Sequence, residues 1–122
     1  MKKVIIYGII LCSIFFVSCS AGAGAGKTPE ETVEAIIKAE QNSNYNAWNK
    51  LWSKPDGFYE WQFKNICEAN KNNKYEILSE ETTIDNDEAT VYVNVTTEEG
   101  TEKHFAELSR RDEKWYVDYM NF

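Results

Sequence analysis

Ala89-Thr90-Val91-Tyr92-Val93-Asn94-Val95-Thr96-Thr97 alternates two sets of side chains, one apolar and one carrying polar groups, as far as Thr96. Successive residues of a strand point to opposite faces, so Val91, Val93 and Val95 share one face and Tyr92, Asn94 and Thr96 the other. Its β-branched residues suit a pleated, half-buried surface. This stretch reads as an inner strand of a sheet with one covered face. Asp85-Asn86-Asp87 before it has turn chemistry and leads back to a strand over Lys74–Ile84. Glu98-Glu99-Gly100 after it turns the chain into a strand over Thr101–Arg110. Arg111-Asp112-Glu113 then leads into a last strand over Trp115–Met120. Short turns between consecutive strands make a four-stranded antiparallel meander.

Upstream of the sheet the apolar period changes from two to 3.6. Thr28-Pro29-Glu30-Glu31 opens a helix with a hydroxyl N-cap, a proline in the first turn and a capping-box glutamate. Val33, Ile36 and Ile37 form its apolar stripe. Asn42-Ser43-Asn44 interrupts it. Tyr45, Trp48, Leu51 and Trp52 then repeat the spacing in a second helix that Pro55-Asp56-Gly57 ends. Phe58–Asn70 reads as a third helix, with Tyr59, Phe63, Ile66 and Cys67 inward. Helices first and strands second make an α+β domain, its N-terminal helices packed on one face of a curved four-stranded antiparallel sheet.

At the N-terminus, Lys2 and Lys3 precede an apolar run from Val4 to Val17 that ends at Ser18-Cys19. A run of about 14 residues fits a secretory signal peptide and is short for a membrane span of about 20. Val17-Ser18-Cys19 resembles the lipobox of bacterial lipoproteins, although Phe16 stands where most carry leucine. The resemblance implies cleavage after residue 18 and three acyl chains on Cys19, a stable tether because each buried methylene contributes about 0.8 kcal/mol. A later cut at Ala21-Gly22-Ala23, or an uncleaved anchor, are the competing readings. The expected organisation is a lipoprotein signal peptide over 1–18, a lipidated cysteine and Gly/Ala tether over 19–27, and one domain over 28–122. The place is the bacterial cell envelope, and Ser20 after the cysteine favours the outer membrane over inner-membrane retention. Ala21 to Thr28 also matches a relaxed P-loop pattern, but no core strand precedes it and too few residues follow for a doubly wound sheet.

Loss of residues 1–18 leaves 11 basic against 20 acidic residues, a net charge of −9. That disfavours nucleic acid and bare anionic lipid as partners. It also strands Cys67 as a single thiol, which excludes an intrachain disulfide; in its apolar helical setting Cys67 reads as a small buried hydrophobe.

Several of these stretches together resemble one bacterial family: Thr28-Pro29-Glu30-Glu31 at a helix start, an aromatic second helix, Ala89-x-Val91-x-Val93, and Lys114-Trp115-Tyr116-Val117-Asp118 at the end. The family comprises small lipoproteins of unknown function, sometimes labelled lumazine-binding-like, with the nuclear transport factor 2-like (cystatin-like) cone fold. The resemblance spans about residues 28–120 and implies the cone, but no catalytic residue to carry over.

Enzymes on such a cone resemble ketosteroid isomerase or small dehydratases and need a base facing an acid or phenol inside it. The one histidine, His104, alternates with Ala106 and Leu108 and so faces the helices. Asp118 alternates with Tyr116 and Met120, away from Trp115, Val117 and Tyr119, and makes no dyad. Tyr119 is expected beside His104 on the inner face. Asp85-x-Asp87-Glu88 lacks the glycine and distal glutamate of a calcium loop, and one histidine with one thiol assembles no zinc set, so no metal or cofactor is expected. Tyr45, Trp48, Trp52, Phe58, Tyr59, Trp61 and Phe63 fall close together. They fill the core behind the sheet, or some of them line a pocket. Trp61 departs from the apolar stripe and is the residue expected at the surface. Trp48, Trp52, Trp61, His104 and Tyr119 are therefore the candidates for a pocket or partner surface. The expected role is a non-catalytic, membrane-anchored envelope lipoprotein binding a small apolar ligand or an envelope protein. An isomerase- or dehydratase-type enzyme is the alternative, and a subunit that forms a homodimer through Tyr92, Tyr116 and Met120 on the sheet the third.

Overall fold

The computed structural model describes residues 24–122; the expected signal peptide, Cys19 and the first part of the expected tether lie outside them. Three helices come first: α1 (Pro29–Gln41), α2 (Tyr45–Asn49) and α3 (Glu60–Asn70). Five strands follow: β1 (Lys74–Ile77), β2 (Thr83–Asp85), β3 (Glu88–Thr97), β4 (Gly100–Arg111) and β5 (Lys114–Met120).

Thr28 caps α1 as its spacing predicts, its hydroxyl accepting from the Glu31 N–H at 3.1 Å. The helix stops where Ser43 takes a left-handed conformation (φ 54°), the conformation that ends many helices. Asn44 then caps α2 through the Ala47 N–H. The second helix is shorter than the aromatic spacing suggests. After Asn49 the chain passes through a turn at Lys50 and Leu51, and Trp52 pairs in parallel with Val117 of β5. Leu51 and Ser53 hydrogen-bond to the same strand, both at 2.8 Å to Val117. Gly26 does likewise two residues earlier, its carbonyl accepting from the Trp115 N–H at 3.0 Å. Thr32, fully buried, ties this contact together: its hydroxyl accepts from Gly26 N–H and donates to the Trp115 carbonyl, both at 2.9 Å. The outer edge of β5 is thus covered instead of offering free pairing groups.

The sheet order is β1-β3-β4-β5, with β2 also on β3. The expected single strand over 74–84 is two. Lys74–Ile77 pairs with Val93–Thr96, and Thr83–Asp85 pairs with Glu88–Thr90, along one edge of β3. A 3-10 turn at Ser79–Glu81 lifts the chain off between them, so the sheet has five strands, not four. Val91, Val93 and Val95 face α1 and are buried, with Ala106, Leu108, Trp115 and Val117 beside them. Against this layer pack Val33, Ile36, Trp48, Leu51 and Phe63 from the helical half.

A register shift between Glu107 and Leu108 changes the end of β5. Leu108 pairs with Val117 and Glu107 with Tyr119, so Asp118 is an extra, bulged residue. The bulge turns Tyr119 outward and Met120 inward, the reverse of strict alternation.

Arg111 and Lys114 pair across a two-residue turn in which Asp112 (φ 54°) and Glu113 (φ 68°) are both left-handed. That conformation costs a side chain-bearing residue roughly 1–2 kcal/mol and glycine little. Glu113→Gly should therefore stabilise the domain by roughly 0.5–1 kcal/mol after the extra chain entropy of glycine is counted, read from urea denaturation midpoints.

Candidate functional site

The five residues singled out in the sequence do not form one site. Trp48 is fully buried, its ring centroid 4.9 Å from Phe63 and 5.3 Å from both Trp52 and Phe58. Trp52 is half-buried in the same cluster, with an indole N–H that meets no partner. These aromatics fill the core. Trp61 is 62 % exposed, as its spacing predicts. Tyr59, expected inward, is 70 % exposed because it stands before the first turn of α3, where its N–H donates to Gln62 Oε1. His104 is half-buried on the inner face, its Nδ1 without a partner and its ring 6.3 Å from that of Phe122. Tyr119 lies across the sheet from it, on the outer face with Phe105 (5.8 Å). Asp118 is also outside, accepting from the Ser109 hydroxyl at 3.0 Å. No His104–Tyr119 pair exists, and the His104–Asp118 dyad fails as the alternation predicts.

A cleft of about 460 Å³ opens instead where the end of α1, the link to α2, the last turns of α3 and β1 converge. Glu40, Ser43, Lys64, Cys67, Asn70 and Tyr75 are among its lining residues. Glu40 is the one acidic side chain buried among the described residues. Its Oε2 accepts from Trp48 Nε1 at 3.1 Å, and its Oε1 from Asn70 Nδ2 at a longer 3.5 Å. Neither donor is charged, and no ion pair reaches Glu40 among the described residues. Burial therefore dominates and raises its pKa, against the pull of the two hydrogen bonds.

Tyr75 alternates with Ile77 toward the same face, and its hydroxyl is buried without a hydrogen-bond partner of good geometry. The Asn73 amide is engaged with Asn70 Oδ1 at 3.2 Å and only moderates the phenol. Burial first, then the Glu40 charge, raises the Tyr75 pKa. The same two causes push the Cys67 thiol up, opposed by a hydrogen bond with Ser43. A thiol held protonated is a poor nucleophile. What the arrangement offers is a carboxyl that gives or takes a proton, an unengaged phenol and a soft thiol around one opening. Among the described residues no three His, Cys, Asp or Glu side chains are placed to hold a metal ion.

Glu40 was readable. It follows Ile36 and Ile37 at i+4 and i+3, on the apolar stripe of α1. Asn70 follows Ile66 and Cys67 on the stripe of α3 in the same way. A polar residue on an apolar stripe must find a partner when the stripe is buried, and these two interruptions meet.

Among solved structures, the fold is shared with the solution structure of a SEC-C motif containing protein from Rhodopseudomonas palustris. The TM-score is 0.63 at 12% identity, over 84% of each chain. A de novo designed protein with a curved β-sheet matches with a TM-score of 0.48 and 10% identity, over 76% of this chain and 96% of that one. A nuclear transport factor 2-like protein of unknown function from Cytophaga hutchinsonii matches with a TM-score of 0.47 and 15% identity, over 77% and 90%. No family model and no curated protein matches the chain.

Proposed function

We propose that this chain is a non-catalytic lipoprotein of the bacterial envelope, anchored through Cys19, whose domain holds a small ligand in the Glu40–Cys67–Tyr75 cleft. The finer assignment is to the lumazine-binding-like lipoproteins with a nuclear transport factor 2-like cone, in the outer membrane. The observation that supports ligand binding is the cleft itself. A buried carboxyl without a counter-ion and a phenol without a partner are costly in a purely structural role. The aromatic cluster, by contrast, is closed by its own packing. The ligand that suits the cleft therefore presents hydrogen-bonding groups to Glu40 and Tyr75 and apolar surface to Cys67. A covalent enzyme is the weaker reading, because the thiol is shifted away from the thiolate and the one carboxylate beside His104, Glu102 at 3.5 Å, is itself largely exposed to solvent.

One observation favours a second role. Tyr92, Phe105 and Tyr119 run across the outer sheet face with centroids 6.4 and 5.8 Å apart, an apolar strip of the kind two copies can share. Native mass spectrometry on the full chain, extracted in mild detergent from its source cells, separates these readings. Mass that survives denaturation on the peptide carrying Cys19 is the expected acylation. Additional mass that disappears on denaturation, and is reduced in Glu40→Gln, is the expected ligand. An acylated monomer without it overturns the ligand reading, and an acylated, ligand-free dimer replaces it with the structural one.

A further inference from the structure

We propose that the Tyr59–Trp61 corner of the domain is the face it lays on the bilayer; this rests on the lipid-anchored reading. Trp61 and Tyr59 are the two most exposed large hydrophobics among the described residues, and neither ring packs on a neighbouring aromatic. Rings of these two types, apolar with one polar edge, favour the boundary between headgroups and acyl chains.

The tether brings this corner toward the lipid. Four residues separate Cys19 from Gly24, five steps of at most about 18 Å of extended chain in all. The chain then docks at once, Gly26 on Trp115 and Ser53 on Val117, sites two residues or about 7 Å apart along the β5 edge. Ser53 begins the segment that runs through Phe58, held on Trp52 at 5.4 Å, into Tyr59 and Trp61. The short leash and the start of the segment that leads to this corner thus lie on one edge of the sheet.

Charge points the same way. Residues 50–64 carry Lys50, Lys54 and Lys64 against Asp56 and Glu60, a net +1, whereas the rest of residues 24–122 sums to −10. All three lysines are exposed, so their stems can lie along lipid while the ammonium groups reach phosphate. An acidic domain repelled elsewhere by anionic headgroups meets them here without repulsion. A bilayer surface is therefore the occupant that fits, and a protein partner on the same corner is the outcome to be told apart from it.

The test uses the full chain, extracted in detergent and reconstituted into phosphatidylethanolamine–phosphatidylglycerol vesicles that contain phosphatidylcholine brominated on its acyl chains. Bromine quenches only tryptophans that reach the boundary. Trp48 and Trp115 are buried and Trp52 is packed in the core cluster, which leaves Trp61 as the reporter. The expected result is an acylated mass, quenching of the wild-type emission, and loss of that quenching in Trp61→Phe with an unchanged thermal midpoint. An acylated chain that is not quenched, or is quenched equally in Trp61→Phe, overturns the proposal and leaves the anchor standing. A Trp61 emission shift that appears on concentrating the protein and ignores bromine overturns it in favour of a protein contact. A chain without acyl mass overturns the anchor and this proposal together.

Discussion

Replacing Trp48 by alanine is expected to cost about 3–5 kcal/mol, the range for removing a fully buried aromatic side chain. Trp48 is 0 % exposed and touches both halves of the helical layer: Tyr45 and Phe63 on one side, Trp52 and Phe58 on the other. No single neighbour can move into the space without abandoning another contact, so the cavity stays open. A domain of this size has only about 5–15 kcal/mol in total. Each kcal/mol lowers the thermal midpoint by about 4–8 °C at this length. The variant should therefore be partly unfolded at 37 °C, seen as loss of the near-ultraviolet circular dichroism of the cluster. Trp48→Phe keeps most of the apolar volume and removes the indole N–H, so it should cost much less. If the two variants unfolded at the same midpoint, the hydrogen bond to Glu40 and not the packing would be the larger part of what Trp48 does.

The contrast between what was readable and what was not follows from the range of the interactions involved. Val91, Val93 and Val95 announce their strand because alternation is a local consequence of the backbone, and Thr28-Pro29-Glu30-Glu31 announces its helix for the same reason. The break between β1 and β2 was hidden because Leu78 to Thr82 contains neither glycine nor proline. What bends it is the Leu78 N–H reaching Tyr92 across the sheet, followed by a 3-10 turn. The bulge at Asp118 is likewise a property of two strands, since it exists only as a mismatch between Glu107–Leu108 and Val117–Tyr119. One extra residue there moved Tyr119 off the inner face and Met120 onto it, which undid the expected His104–Tyr119 neighbourhood and the outer-face role given to Met120. Trp52 fits a helical spacing, yet the free edge of β5 recruits Leu51–Ser53 as a partner. The candidate site was half legible. Glu40 and Asn70 each sit on an apolar stripe, but that the two stripes converge beside Tyr75 depends on how α1 and α3 cross, which no spacing records.

Glu40 supplies the second large effect, and its sign can be worked out from burial. The folded state holds the Glu40 proton more tightly than the unfolded chain does, because desolvation outweighs the hydrogen bonds from Trp48 and Asn70. Below the ordinary carboxyl range both states are protonated, and Glu40 adds no pH dependence. As pH rises from there through the raised folded value, the unfolded chain releases the proton first, and stability falls. Glu40→Gln keeps a carbonyl oxygen for Trp48 Nε1 and has no proton to lose. Its stability relative to wild type should therefore climb between pH 4 and pH 8, measured as the difference in urea denaturation free energy at each pH. Taking the difference removes whatever pH dependence the two proteins share. Glu40→Ala should instead be about 1–3 kcal/mol less stable, since it leaves the buried Trp48 N–H without an acceptor. Parallel pH curves for wild type and Glu40→Gln would show that Glu40 ionises at no cost in the folded state and would overturn the reading of it as a desolvated carboxyl. A diverging pair, together with loss of bound mass in Glu40→Gln, would mean that the protein tolerates an unstable carboxyl at this position because its ligand uses it.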